Sequence, residues 1–215
     1  MLVKDVMTRN PITITGDRPL PEAKDLMTKN DITKLPVLDK SGQLIGIITG
    51  NDIKNSGPSD ATTLDMFELS YLLNKMTVSK VMVSPVVTVS ENETVEEAAR
   101  LMLDYDIGSL VVKRDELVVG IVTESDLFKA FISMFGTRHA GVRATFVMGD
   151  KPGALSVLSK SLADKNGNIV SLVTADVEED AGKRKVTLRA SGIELDDMKG
   201  VIADAGATLE DIRRV

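Results

Sequence analysis

The stretch from Met7 to Ile53 returns as Met82 to Leu127, closing on Gly46-Ile-Ile-Thr-Gly-Asn-Asp52 the first time and on Gly120-Ile-Val-Thr-Glu-Ser-Asp126 the second. Met7 aligns with Met82, Thr13 with Thr88, Ala23 with Ala98 and Leu35 with Leu110 at an offset of 75, and one deleted residue then shifts the offset to 74. Two copies of so long a period predict a pseudo-symmetric pair of half-domains, because a solenoid needs at least about three repeats to bury a core.

Each copy reads in one order. A short β-rich piece (Ile12 to Ile14, Val86 to Val89) precedes a helix with apolar residues at helical spacing, Leu20 to Lys29 or Thr94 to Asp104. Two apolar runs follow, Lys34 to Leu38 with Leu44 to Ile48, and Ser109 to Val112 with Leu117 to Val122. They read as hairpins turning at Ser41-Gly42 and Asp115-Glu116, and a further helix opens after Thr49 and after Thr123. Between the copies, Asn55 to Thr63 reads as a linker and Leu64 to Lys75 as an amphipathic helix. Phe128, Phe131 and Phe135 form a helical stripe that reads as core packing. From Arg143 the pattern becomes βαββαβ, a ferredoxin-like split βαβ unit. The chain is therefore expected to be α/β (α+β), with half-domains over 1–76 and 77–136, a linker over 137–142 and a carboxyl-terminal domain over 143–215.

Composition removes most catalytic chemistry. With no cysteine and a lone histidine, His139, disulfides, thiol nucleophiles, thiolate sites and histidine metal sites are all excluded. The net charge of −6 divides as about −5 before residue 140 and −1 after it, and there is no tryptophan, so a basic or base-stacking nucleic-acid face is missing. No run approaches the roughly 18 apolar residues of a bilayer span, and Lys4 and Asp5 interrupt any amino-terminal signal, which leads us to expect a cytoplasmic protein.

The repeated Gly-h-h-Thr-x-x-Asp end (h, apolar) has two readings. Thr49 with Asp52, and Thr123 with Asp126, each follow a strand and open a helix, so each pair reads as a capping box with Asp in place of Glu. The same geometry suits a nucleotide. A helix start offers free N–H groups to phosphate, the threonine adds a hydroxyl, and the aspartate accepts ribose hydroxyls. Gly46 and Gly120, in the preceding strands, would let a base or backbone approach closely.

These repeats resemble CBS domains, on Val6-Met7-Thr8 with Pro11-Ile12-Thr13, on Leu35-Pro36-Val37-Leu38-Asp39 and on both Gly-h-h-Thr-x-x-Asp ends. The second copy departs from the pattern at Val111, where proline is usual, and at Lys113-Arg114. The resemblance implies a disc-like tandem pair that binds adenosine-containing ligands in two clefts. It puts Thr123 and Asp126 with Thr13, Arg18, Thr33 and Lys34, and it puts Thr49 and Asp52 with Thr88, Glu93, Gly108 and Ser109. On charge, a phosphorylated adenosine is then expected in the Asp126 cleft, which has two cations. The Asp52 cleft would take an uncharged or cationic adenosyl group or stay empty. Solvated surface charge is the other reading of Arg18 and Lys34.

Residues 143–215 resemble an ACT domain, an effector module that pairs side by side and often binds amino acids. The likeness rests on Asp150-Lys-Pro-Gly-Ala-Leu155, on Asn166-Gly-Asn-Ile169 and on the βαββαβ order. It implies contacts to an amino acid from Asp150 and Asn168, and from the backbone near Gly153, Ala154, Leu155 and Ile169. Asp150 also reads as a helix cap. Met148 stands where some members place a polar histidine, which leaves pairing alone as the module's other role. The domain order is similar to the acetoin-utilisation B type of CBS-ACT regulatory proteins. The expected function is a non-enzymatic sensor of AMP, ADP or ATP, or of NAD or S-adenosylmethionine, homodimeric through either module and requiring no cofactor or metal. A structural oligomerisation module with vestigial clefts is the alternative.

Overall fold

The computed structural model describes residues 1–56, 75–178 and 180–215. The expected linker and helix between the repeats therefore lie, except for Asn55, Ser56 and Lys75, outside the described residues. The chain divides into two compact units, Met1–Leu127 and Phe128–Val215. Among the described residues no helix is long and apolar enough to cross a membrane.

In the first unit, α1 (Val3–Val6) leads into β1 (Thr8–Arg9), and the first half follows as β2 (Ile14–Thr15), α2 (Leu20–Asn30), β3 (Lys34–Leu38), β4 (Leu44–Thr49) and α3 (Gly50–Asn55). The second half runs β5 (Thr88–Ser90), α4 (Val95–Asp104), β6 (Ser109–Arg114), β7 (Leu117–Thr123) and α5 (Glu124–Met134), whose last seven residues belong to the second unit. Helix α2 buries Leu20, Ala23 and Met27, and α4 buries their counterparts Val95, Ala98 and Met102. Both helices stop against a left-handed aspartate, Asp31 and Asp106, each at φ 52°. The hairpin turns carry Gly42 at φ 86° and Asp115 at φ 52°, a conformation that glycine, asparagine and aspartate tolerate best.

Each half completes the other's sheet. The sheets run β2-β3-β4 and β1-β7-β6-β5, parallel at β2/β3 and β5/β6 and antiparallel elsewhere. Strand β1 leaves the first half to pair with β7, setting Thr8 opposite Ile121 and Arg9 opposite Gly120. In return Val83 pairs with Ile47 of β4, through N–H to carbonyl bonds of 2.8 and 3.0 Å. The first core gathers Ile14, Leu20, Ala23, Met27, Leu35, Val37, Ile48 and Val78. Val111, the residue in place of the usual proline, is fully buried in β6.

The second unit contains β8 (Val142–Gly149), α6 (Ala154–Asp164), β9 (Asn168–Asp176), β10 (Lys183–Ser191), α7 (Leu195–Asp204) and β11 (Thr208–Arg214). They form the expected βαββαβ unit, an antiparallel sheet in the order β11-β8-β10-β9. Period-two burial along β8 sends Val142, Ala144, Phe146 and Met148 into one core with Leu158, Leu162, Val186, Leu188, Met198, Val201 and Ile202. Arg189, only 7% exposed, donates to the His139 carbonyl at 3.0 Å, and the Ser171 hydroxyl donates to the Phe135 carbonyl at 2.9 Å.

The phenylalanine stripe forms core only in part. Phe128 is 64% exposed and Phe135 39%, whereas Leu127 and Ala130 are buried and Phe131 is half-buried. Positions four apart share a helix face and adjacent ones lie about 100° apart, so burying Leu127 and Ala130 keeps Phe131 inward and turns Phe128 and Phe135 outward.

Candidate functional site

Both repeated ends fold as capping boxes. Thr49 closes β4, and its hydroxyl accepts the Asp52 N–H at 3.2 Å. Asp52 Oδ2 in turn accepts the Thr49 N–H at 2.8 Å and the Thr49 hydroxyl at 2.7 Å. Thr123 and Asp126 repeat the pattern at 3.4, 3.0 and 2.7 Å. The local reading of the motif therefore holds at both sites. At Asp52 both bonds from Thr49 go to Oδ2, so the box and a contact through Oδ1 are compatible.

A cavity of about 530 Å³ adjoins the first box, within the range typical of small-molecule sites. Its apolar wall is Ile47, Val83, Pro85, Val86, Val87 and Ile107. Its polar lining is Thr33, Lys34, Thr49, Gly50, Asn51, Asp52, Gly108 and Ser109. Strand β4 supplies Ile47 and Thr49, the start of α3 supplies Gly50 to Asp52, the crossing segment supplies Val83 and Pro85 to Val87, and the residues at the starts of β3 and β6 supply the rest. The half-exchange described above thus builds one wall from each half.

The structure distributes the expected residues unevenly. Thr49, Asp52, Gly108 and Ser109 meet in this cavity. Thr33 and Lys34, expected beside Asp126, line it too. Thr88 is half-buried in β5, and Val86 and Val87 take the wall instead. Glu93 contributes its carbonyl to the Val3 N–H at 2.8 Å and does not line the cavity. Thr13 is half-buried just before β2. Arg18 lies at the surface just before α2 with its side chain 58% exposed, 3.6 Å from Glu22 in the first turn of that helix, which matches the solvated reading of that charge.

The repeated glycines do something other than admit a ligand. A Cβ at Gly46 would overlap the Met82 thioether, and one at Gly120 would overlap that of Met7. Each glycine is therefore filled by the methionine of the opposite half.

Lys34 is the cation at the cavity. Its ammonium donates to the Gly108 carbonyl at 2.8 Å. Burial pushes its pKa below the usual lysine value, and the nearby Glu124 carboxylate opposes that shift. Sequence reading missed Glu124. The signal was available, since Glu124 stands where the first copy has Gly50 and Lys34 where the second has Ser109. Another missed pair explains the Arg114 departure: Arg114 binds Glu91 through both carboxylate oxygens, one bond measuring 2.9 Å, and holds the Glu91 carboxyl below its usual range.

In the second unit Asp150 does not cap α6. The cap residue is Gly153 at φ 85°, and the Asp150 carboxylate lies 3.1 Å from Arg184. Ala154 and Leu155 open that helix, with Leu155 exposed. Asn168 and Ile169 begin β9 opposite Ser191 and Ala190, while β8 reaches Gly149 opposite Lys183. Asp150 and Asn168 therefore lie at opposite ends of β10, on the order of 25 Å apart at about 3.3 Å per residue, and one chain does not bring them together. Met148 points into the core.

A tandem pair of βαββα halves with a cavity at a strand-to-helix junction, followed by a ferredoxin-like unit, defines a two-module architecture. The CBS domain model matches residues 3–57 and 78–133, and the TTHA0829-like ACT domain model matches residues 140–213. The chain belongs to the CBS-domain family, as a tandem CBS pair with a carboxyl-terminal ACT domain. It is similar to the crystallised CBS pair of protein MJ0100 in complex with 5′-methylthioadenosine and S-adenosyl-L-methionine, at 33% identity and TM-score 0.51, over 65% of this chain and 98% of that one. It is also similar to an acetoin utilization protein from Vibrio cholerae, at 30% identity and TM-score 0.52, over 64% and 95%. Among curated relatives, the L-aspartate semialdehyde sulfurtransferase of Methanocaldococcus jannaschii is 34% identical over 131 residues, which are 60% of this chain and 23% of that protein. The chain thus spans under a quarter of that enzyme.

Proposed function

We propose that this protein is a non-enzymatic sensor of adenosine-containing ligands, and that the Asp52 cavity takes a phosphorylated one. The carrying observation is the pairing of an apolar wall with Asp52 and Lys34 in one cavity of about 530 Å³. In this reading the adenine lies against Ile47, Val83 to Val87 and Ile107, the ribose hydroxyls bond to Asp52, and the phosphate reaches Lys34 and Ser109. This proposal puts the phosphate in the Asp52 cavity and not, as expected from sequence, in the Asp126 cleft, and it is supported by Lys34 lining the former and by Arg18 lying exposed beside Glu22. The adenosyl complex of the related MJ0100 pair supports the ligand class. The ACT unit, in this proposal, pairs chains or binds an effector and reports the state of the clefts. Its exposed Leu155, Val157 and Ile169 are consistent with pairing.

Calorimetric titration of the ligand-stripped protein with AMP tests the site. Binding in wild type that falls at least tenfold in Asp52→Ala and survives in Asp126→Ala is the expected result. Ligand at 100 times its dissociation constant adds about 2.7 kcal/mol of stability, so a parallel thermal scan gives a second readout. Loss in Asp126→Ala alone returns the phosphate to the other cleft. No binding by any adenosyl compound leaves the structural-module reading, in which the boxes serve as helix caps alone.

A further inference from the structure

The halves differ at two ionisable positions that meet where the halves join. Lys34 corresponds to Ser109 and Glu124 to Gly50, so the cation comes from the first half and the acid from the second. Both close on Gly108. A Cβ at that glycine would lie 3.4 Å from Lys34 Nζ and 3.1 Å from Glu124 Oε2. The two charges face each other across a position with no side chain, and the carboxylate acts on the ammonium at a distance.

Their surroundings tie each charge to one repeated end. Lys34 lines the Asp52 cavity. Glu124 follows Thr123 directly and bonds through its N–H to the Gly108 carbonyl at 3.4 Å, as Gly50 bonds to Thr33 at 2.9 Å in the first half. It therefore holds, beside Asp126, the place that Gly50 holds in the cavity beside Asp52.

We infer that Lys34 is one cation shared by the two clefts, and that Glu124 couples them: an anionic adenosyl ligand at Asp52 draws Lys34 away and favours a cationic adenosyl ligand at Asp126. The physical reason is charge balance between a half-buried ammonium and an exposed carboxylate that faces it. While Lys34 faces Glu124 the acid is compensated. Once a phosphate takes Lys34, the Glu124 carboxylate is left to a positively charged ligand in its own cleft, and a second phosphate there meets an acid with no counter-charge. Coupling is reciprocal, so each ligand tightens the other by the same factor. This sign and order of filling presuppose the adenosyl reading of the clefts proposed above.

The test titrates S-adenosylmethionine, a sulfonium cation, into the full chain with and without saturating AMP. In wild type its dissociation constant is expected to fall about fivefold or more when AMP is present, within the usual range of allosteric coupling. Lys34→Met and Glu124→Gln should each remove the difference, and Lys34→Arg should keep it. An unchanged constant in wild type, a rise as for two ligands competing for one cavity, or coupling that persists in both variants overturns the shared cation. Failure of AMP to bind wild type at all, or equal binding in Asp52→Ala, instead overturns the adenosyl reading beneath it. The two failures are thus read separately.

Discussion

Lys34 shows what one residue's surroundings decide. Its proton is needed by a phosphate, yet burial in the fold disfavours that proton, and the nearby Glu124 carboxylate favours it. In the ligand-free fold the depressed pKa means that the unfolded chain holds the proton more strongly, so stability rises with pH in the window below the ordinary lysine value of 10.5. Binding of a phosphate runs the other way. We predict that AMP affinity, measured by calorimetry from about pH 7 upward where the phosphate is fully charged, weakens with rising pH before that ordinary value, while Lys34→Met shows no such alkaline loss. A flat wild-type profile would remove Lys34 from the phosphate contact. The sequence marked Thr49, Asp52, Thr123 and Asp126 because a capping box is local and its spacing is visible. It did not show that Lys34 also lines the Asp52 cavity, because that side chain reaches across to Gly108, 74 residues away, and no local pattern encodes the reach.

At the level of elements, the glycines of the two β4-type strands were read as openings for a ligand and are instead seats for methionine. Gly46→Ala forces Met82 to move, as does Gly120→Ala with Met7, and overpacking of this kind costs about 1–3 kcal/mol. Urea unfolding should show that loss for Gly46→Ala and show it smaller when Met82→Ala is already present, the non-additivity expected of residues in contact. Simple addition of the two effects would mean that the methionine is not the obstacle. A second element-level contact joins the end of β5 to the end of β6. The Arg114 bond lowers the Glu91 pKa, so its stabilisation is present above the ordinary value of 4.5 and is lost as pH falls through the lower folded value. Glu91→Gln is therefore expected to lower the urea midpoint at pH 7 and to converge with wild type in strong acid. An equal difference at both pH values would assign the effect to packing rather than charge. Strand, helix and hairpin order were legible from periodicity, whereas the face of α5 was not. Two apolar stripes sit side by side on that helix, and only tertiary packing chooses Leu127 and Ala130 over Phe128 and Phe135.

For the whole molecule, the arm exchange makes the halves one folding unit. Removing residues 1–10 deletes β1 together with the bonds from Val3 to Glu93 at 2.8 Å, from Lys4 to Glu91 at 3.0 Å and from Val95 to Met1 at 3.2 Å. Hydrogen exchange should then quicken at the Val95 amide and along β7, and leave the amides of β8 to β11 in the second compact unit protected. Unchanged β7 protection would show that the arm is dispensable. The repeat announced two halves, but nothing in their separate patterns announced that each would finish the other's sheet, since strand pairing between distant segments leaves no period in the chain.

That pairing also sets a timetable. Thr8 and Ile121 are 113 residues apart, and a ribosome adding about 5–20 residues per second needs on the order of ten seconds to produce the second after the first. Throughout that interval the newborn first half carries an arm with no strand to pair with, and until Val83 is made Ile47 lacks its partner as well. A stall before residue 121 would prolong a state in which the arm can pair only with the β7 of a neighbouring, further-extended chain, the entry point to a swapped dimer.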